Sequence, residues 1–170
     1  MMVNKIAIIG ELNVDLVASG LEREPVLGQE ILAQDFMMTI GSASAIFACG
    51  IAKLANSVTF ISQIGNDDFG KFCLAELTKQ GVSVEQIEIL EDFKTGVTVV
   101  LSTPQDRALV TYLGAIAELS LKDIELDKLN NHSHLHLTSY FLQTKLQSDF
   151  ALLMSEAKKR GLTVSFDPNS

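Results

Sequence analysis

Short apolar runs alternate with amphipathic segments along most of the chain. Residues 5–12 form a nearly continuous apolar run with a glycine near its end, which is typical of a strand buried on both faces. Helical spacing follows over residues 45–55, and a β-branched run over 57–65 predicts a second strand. Residues 67–81 open with acids and close with lysine and glycine, which is the usual order in a helix. The first half therefore predicts strand, helix, strand, helix.

The second half repeats this alternation. Residues 134–141 are strand-like, residues 148–161 have a polar start, an amphipathic body and a basic last turn, and residues 162–168 predict another strand. Alternating β and α elements indicate a mostly parallel sheet with helices on both faces. We therefore predict one three-layer α/β/α domain.

Two segments depart from the alternation. Residues 15–40 and 95–115 are rich in β-forming side chains, and the second segment has a turn at Pro104 and Gln105 between two such arms. We expect them to form a small accessory sheet outside the parallel one.

Composition and charge narrow the class of protein. The chain has 170 residues, 47% of them hydrophobic, and a net charge of −8, which argues against a broad nucleic-acid surface. No apolar run approaches the roughly 20 residues that span a bilayer, and the first ten residues resemble a strand rather than a signal peptide. We expect a cytoplasmic protein with no membrane partner. Cys49 and Cys73 lie in apolar stretches and are interpreted as small hydrophobic residues.

Polar side chains follow the first predicted strand. Asn13 and Asp15 are two positions apart, so they lie on the same side of an extended segment. Ligands bind at the carboxyl ends of parallel strands, and a carboxylate beside an amide suits paired hydroxyl groups. Turn formation by the same two side chains is an equally weighted alternative.

Other polar groups carry weaker functional hypotheses. Asp67 and Asp68 stand where a helix begins, so capping is favoured over catalysis. His134 and His136 project from one face of a strand, but no third ligand is indicated and no metal site is predicted. The dinucleotide motif GxGxxG and the GxxxxGK[ST] phosphate loop are both absent from the sequence.

Seven short motifs, taken together and in order, resemble the N-terminal half of the ribokinase-like carbohydrate kinases of the phosphofructokinase-B type. They are GELNVD from Gly10, PVLGQE from Pro25, the glycine loop at Gly41, QIGNDDFG from Gln63, TGVTVVL from Thr95, GA at Gly114 and FDPN from Phe166.

The resemblance implies a function and a set of site residues. It implies ATP- and Mg²⁺-dependent phosphorylation of a sugar or nucleoside hydroxyl, with a β lid at about 15–40 and 95–113 that also forms a homodimer. Asp15, with Asn13 nearby, would hold substrate hydroxyls, and the backbone at Gly41 and Ser42 would approach the sugar. Asp167 and Asn169 would line the phosphate-transfer region.

The chain also departs from the family pattern. Ser42 replaces the second glycine of the loop, and Ile46 stands at the substrate-binding position where the family has asparagine. The family's later GAGD-like motif, which supplies the catalytic base, does not occur in these residues. We therefore expect residues 1–170 to be an N-terminal portion of the fold, with no catalytic residue and little activity alone. A reading frame that continues past Ser170 into such a motif would favour the kinase.

Two alternatives remain open. The first is a non-catalytic sugar- or nucleoside-binding protein derived from the same fold, which Ile46 favours. The second is a generic α/β scaffold without a small-molecule site. The sequence does not identify the sugar, because lid residues determine it.

Overall fold

The computed structural model describes residues 4–54 and 56–169. Within these ranges the chain forms nine strands, which are β1 (Lys5–Ile9), β2 (Asn13–Ser19), β3 (Asp35–Ile40), β4 (Ser57–Gly65), β5 (Val82–Leu90), β6 (Gly96–Ser102), β7 (Arg107–Tyr112), β8 (His134–Thr138) and β9 (Thr163–Asp167). The α-helices of the same ranges are α1 (Ala43–Lys53), α2 (Asp68–Lys79) and α3 (Phe150–Lys159). Short 3-10 helices occupy Gly114–Ala117, Leu121–Asp123, Leu126–Asn131 and Gln147–Asp149.

The main sheet has five strands in the order β5-β4-β1-β8-β9, and all of its neighbours pair in parallel. Parallel pairing brings the carboxyl ends of the strands to one edge, which is where ligands bind in open α/β sheets. The predicted parallel sheet is confirmed.

Helices cover both faces of this sheet. Along β1, Ala7 and Ile9 pack in the core formed with α3, whereas Ile8 packs in the core formed with α1 and α2. This division follows from the period-2 alternation of side chains along a strand. Full burial of an apolar side chain such as Ile8 contributes about 1.5–3 kcal/mol. The predicted three layers are therefore present.

The second sheet has four strands in the order β3-β2-β6-β7. β2 and β6 pair in parallel at its centre, and β3 and β7 add antiparallel strands on the outside. The turn between β6 and β7 is closed by Thr103, whose hydroxyl accepts a hydrogen bond from the Asp106 N–H at 3.1 Å. The segments that depart from the alternating sequence pattern supply these strands.

Several predicted boundaries were wrong. β1 ends at Ile9 rather than at residue 12, and β8 ends at Thr138 because Ser139 turns the chain with a φ of 55°. Helix α1 begins at Ala43, two residues before the predicted start, because the hydroxyl of Ser42 accepts a hydrogen bond from the Ala45 N–H at 2.9 Å. The edge strand β5 was not predicted at all.

In the described part of the chain, no helix is long and apolar enough to cross a membrane.

Candidate functional site

A cavity of about 790 Å³ lies between the second sheet and the carboxyl edge of the main sheet. Its wall on the second sheet consists of alternate residues of β2, β6 and β7, which therefore share one face. Its lining residues are Glu11, Asn13, Asp15, Gly41, Ala43, Ile46, Thr98, Val100, Arg107, Leu109, Thr111, Phe141, Leu142 and Asn169.

Asn13 and Asp15 form the centre of a polar cluster in this wall. The Asn13 amide Nδ2 lies 3.1 Å from Asp15 Oδ1 and 3.3 Å from Thr98 Oγ1, and it donates to both. The Thr98 hydroxyl is in turn 3.0 Å from that of Thr111. Because Asn13 is only 5% exposed, its amide is held in place and fixes the Asp15 carboxylate toward the cavity. Both residues lie inside strand β2, so the alternative in which they form a turn is wrong.

Burial raises the pKa of the Asp15 carboxyl above its ordinary value. The hydrogen bond from Asn13 and the positive charge of Arg107 act in the opposite direction and lower the same pKa, but they do not cancel the effect of burial. The Asp15 carboxylate is therefore poorly solvated, and it gains from hydrogen-bond donors such as ligand hydroxyl groups.

Gly41 lies directly against the Asp15 side chain. A Cβ atom placed on Gly41 would be 1.8 Å from Asp15 Oδ1 and 2.6 Å from Asn13 Nδ2, which no real contact allows. The backbone N–H of Gly41 donates to the Asn13 carbonyl at 3.0 Å. A side chain at this position would therefore displace the polar cluster.

Ser42 lies next to Gly41 but does not line the cavity. Its side chain is buried, and its hydroxyl donates to the Glu11 carbonyl while it caps helix α1. Its φ of −57° is open to any residue, so a glycine is not required here. Contact between the Ser42 backbone and a sugar stays a prediction.

Glu11 is a buried carboxylate that the sequence analysis missed. It is 2% exposed, it lines the cavity, and it accepts hydrogen bonds from the hydroxyl and the backbone N–H of Ser44 in the first turn of α1. The partial positive charge of the helix N-terminus favours a carboxylate at this place. The sequence signal for a buried site residue here was an acid just after a buried apolar strand.

Ile46 gives the cavity part of its apolar wall. Its side chain is 59% exposed and lies on the cavity side of α1, across from Val100 and Leu109 of the second sheet. No polar atom of residue 46 can reach a ligand from this position, since isoleucine has none beyond its backbone.

The two predicted site residues of the FDPN motif, Asp167 and Asn169, differ in their position relative to the cavity. Asn169 lines the cavity, and its amide Nδ2 is 3.5 Å from the Ser139 hydroxyl. Asp167 ends strand β9, is exposed, and accepts a hydrogen bond from the Asn169 N–H at 3.0 Å. Only Asn169 faces the cavity directly.

Asp67 is the N-terminal cap of helix α2, as predicted. Its Oδ1 accepts from the Gly70 N–H at 2.8 Å and from the Thr95 hydroxyl at 2.7 Å, and its Oδ2 accepts from the Thr95 N–H at 2.8 Å. Burial raises the pKa of Asp67, but these hydrogen bonds outweigh burial and hold the pKa below its ordinary value. Asp68 does not cap the helix and forms an exposed ion pair with Lys71.

The histidine pair has other partners than a metal. His134 Nε2 and His136 Nδ1 are each 2.7 Å from the Ser165 hydroxyl, and the His136 ring stacks on Phe47 at 4.0 Å. Across residues 4–54 and 56–169, no group of three or more His, Cys, Asp or Glu side chains could hold a metal ion. The described residues therefore provide no cluster of three such protein ligands for Mg²⁺, and the Glu11 carboxylate is engaged by Ser44.

The arrangement of the two sheets defines the class of fold, which is similar to that of solved ribokinase-like proteins. A putative ribokinase II from E. coli, solved in complex with ATP and Mg²⁺, superposes with a TM-score of 0.81 at 26% sequence identity, covering 98% of this chain and 53% of that one. Residues 3–170 match the model of the pfkB family carbohydrate kinases, and the chain belongs to that family.

Two curated relatives are similar over most of the chain. Fructokinase-2 of Oryza sativa subsp. japonica is 30% identical over 172 residues, covering 98% of this chain and 49% of the relative. The 2-dehydro-3-deoxygluconokinase of Bacillus subtilis (strain 168) is 30% identical over 140 residues, covering 79% of this chain and 43% of the relative. The chain thus spans about half the length of the curated relatives that it matches.

Proposed function

We propose that the chain forms the sugar-binding part of a cytoplasmic carbohydrate kinase that transfers a phosphoryl group from ATP to a sugar hydroxyl. The observation that carries the proposal is the Asp15 carboxylate, which Asn13 holds in a cavity at the carboxyl edge of the parallel sheet. The relatives named above are a fructokinase and a sugar-acid kinase, so a six-carbon sugar or sugar acid is the proposed substrate class, with a nucleoside as the broader alternative.

The residues of the cavity have separate roles in this proposal. The Asp15 carboxylate accepts hydrogen bonds from two sugar hydroxyls, and Asn13 keeps the carboxylate in place. The absence of a side chain at Gly41 lets the sugar approach the backbone. The second sheet covers the sugar as a lid, which excludes water and strengthens each polar contact.

ATP and Mg²⁺ belong to the proposal through the kinase that was solved with both ligands. Residues 4–54 and 56–169 contain no suitable cluster of metal ligands, so no catalytic step is assigned to a bound metal. Asp167 and Asn169 are proposed to border the phosphate-transfer region, since Asn169 faces the cavity and hydrogen-bonds Asp167. No catalytic base is assigned to this chain.

The proposal is tested by sugar binding to the purified chain of 170 residues. D-Fructose and 2-dehydro-3-deoxy-D-gluconate should raise its melting temperature, because a ligand stabilises the state that it binds. Asp15→Asn should abolish the shift. Asp35→Asn, which changes an exposed carboxylate at the start of β3 outside the cavity, should leave the shift unchanged. A shift that survives Asp15→Asn would refute the proposed site.

A second candidate is a sugar-binding protein without kinase activity. It is favoured by Ile46, which presents an apolar side chain where the family resemblance places asparagine. Phosphorylation of a sugar panel with ATP separates the candidates: product formed by the purified chain and lost in Asp15→Asn excludes the second one. The same result would contradict our expectation that residues 1–170 have little activity alone.

We further propose a homodimer that forms through the second sheet. The face of this sheet opposite the cavity carries an apolar row across all four strands, formed by Met38, Leu16, Val99 and Val110. Leu16 is partly buried against the core formed with α1 and α2, whereas the other three side chains are exposed. Val110 is 62% exposed, and an exposed apolar patch of this kind is typical of an interface.

A further inference from the structure

The charged side chains that line the cavity differ in sign and in their hydrogen-bond partners. In the described ranges three of them border it, namely Glu11, Asp15 and Arg107. The Glu11 carboxylate is bound by Ser44, and the Asp15 carboxylate accepts from Asn13. Within residues 4–54 and 56–169, Arg107 is the one positively charged side chain that lines the cavity and it forms no ion pair, so its guanidinium can pair with an anionic group of a ligand.

The position of Arg107 places this charge at one end of the cavity. Thr111, Leu109 and Arg107 alternate along β7 on the cavity face, and Thr111 stands beside the cluster around Asp15. Four residues of a strand span about 13 Å, so Arg107 begins at the far end of the same wall. Asp15 and Arg107 therefore line the same face of the second sheet, at two ends of one wall.

The wall between the two groups is apolar. Val100 and Leu109 are paired across β6 and β7 there, and Ile46 faces them from helix α1. A ligand that binds across this surface displaces water, and a charge pair formed beside apolar side chains is less screened than one in open solvent. The planar guanidinium of arginine matches a carboxylate or a phosphate with two parallel hydrogen bonds.

We propose that Arg107 is a specificity-determining residue that makes the cavity select a hydroxylated carbon chain with an anionic end, a carboxylate or a phosphate, over a neutral sugar. The hydroxyls bind at Asp15 and the anionic end binds at Arg107. The inference rests on the proposed function, because it assumes that the cavity binds a sugar at Asp15. It adds a second anchoring point, on β7, to the one on β2, on the same face of the second sheet.

The test compares three probes by calorimetric titration of the 170-residue chain. The probes are D-fructose, 2-dehydro-3-deoxy-D-gluconate and D-fructose 6-phosphate, which share hydroxyls and differ in the anionic group. The variants are Arg107→Gln and Arg107→Lys. The matched control is Arg23→Gln, since Arg23 is an exposed arginine that pairs with Gln29 and does not line the cavity.

We expect at least one anionic probe to bind the unsubstituted chain more tightly than fructose does. Arg107→Gln should weaken that probe by about tenfold to a hundredfold, the range for a lost charge-assisted contact, and should change fructose affinity by less than about twofold. Arg107→Lys should recover part of the loss, and Arg23→Gln should change neither affinity. The anionic probe that responds identifies carboxylate or phosphate as the preferred group.

Each contrary outcome has a distinct meaning. If Arg107→Gln weakens all three probes equally, or leaves the anionic ones unchanged, Arg107 does not select the anion and the inference is wrong. If fructose binds in a way that depends on Asp15 but no anionic probe binds better, only the inference fails. If no probe binds, or binding persists in Asp15→Asn, the proposed function fails and the inference fails with it.

Discussion

Gly41 is a single residue on which the geometry of the cavity depends. Any side chain at this position meets the carboxylate of Asp15 and the amide of Asn13. We predict that Gly41→Ala displaces Asp15, destabilises the fold by about 1–3 kcal/mol as overpacked positions do, and weakens fructose binding more than tenfold. Urea unfolding and calorimetric titration measure the two effects.

Gly50 supplies a matched control for that substitution. It lies on the exposed side of helix α1, and nothing would be within 4 Å of a Cβ placed there. Gly50→Ala should therefore stabilise the chain by up to about 1 kcal/mol, since alanine is the better helix former, and should leave binding unchanged. Equal losses of binding in the two variants would contradict the steric explanation.

The pH dependence of sugar binding should report the raised pKa of Asp15. In the folded chain the carboxyl keeps its proton to higher pH than in the unfolded chain, so its contribution to stability is present at low pH and is lost as the pH rises through the folded pKa. Sugar binding needs the carboxylate, so affinity for fructose should rise over the same range.

Titration between about pH 4 and pH 7 measures this dependence, because that range lies above the ordinary pKa of an aspartate. The Asp15→Asn variant should bind fructose weakly, and its affinity should not rise with pH. This comparison separates the effect of Asp15 from that of other titrating groups. A wild-type affinity that stays flat across the range would show that Asp15 does not contact the sugar.

At the scale of elements, Asp67 connects helix α2 to the start of strand β6 through Thr95. Asp67→Ala should destabilise the chain by about 2 kcal/mol or more, because it removes a helix cap together with two hydrogen bonds to a carboxylate. The lowered pKa of Asp67 means that this stability is present above the unfolded pKa and is lost as the pH falls through the folded pKa.

Asp68→Ala is the control in the same turn. The Asp68 side chain is 97% exposed and pairs only with Lys71, so the free energy of unfolding should change by less than about 0.5 kcal/mol. Urea unfolding near neutral pH compares the two variants. Similar losses in both would mean that the helix dipole, rather than the contacts of Asp67 with Thr95, carries the effect.

The sequence predicted those parts of the site that depend on local geometry. Strand parity placed Asn13 and Asp15 on one side, and the capping pattern identified Asp67. An acid just after a buried apolar strand was a signal for Glu11, but the sequence did not identify its partner Ser44, which is 33 positions away. Thr98 and Arg107 line the cavity because of the register of their strands, and the hydrophobic pattern does not determine that register for the paired strands of the second sheet.

Elements with a weak hydrophobic pattern were also missed. Strand β5 was missed because it is an edge strand whose residues are mostly half-exposed, so its apolar signal is weak. The 3-10 helices between residues 114 and 131 were missed because they follow no period of helix or strand. The parallel sheet was predicted from buried apolar strands such as β1 and β4. The family resemblance indicated the function, which periodicity alone does not.

At the scale of the whole molecule, the apolar row on the second sheet should govern self-association. We predict that Val110→Glu shifts the chain from dimer to monomer in light scattering, because a charge would be buried in the interface. Leu54→Glu is the control, since Leu54 is 72% exposed at the end of α1, away from the second sheet. A monomeric unsubstituted chain, or an equal effect of both substitutions, would refute the dimer.

The central pair of the second sheet joins distant parts of the chain: Asn13 and Thr98 hydrogen-bond although they are 85 positions apart. Closing so large a loop costs chain entropy, whereas β4, α2 and β5 follow one another inside it and pair locally. We therefore expect refolding to protect the amides of β4 before those of β2 and β6 in pulse-labelled hydrogen exchange, and simultaneous protection would contradict this order. A newly synthesised chain would acquire its core first, and its cavity would become able to bind only in the last step of folding.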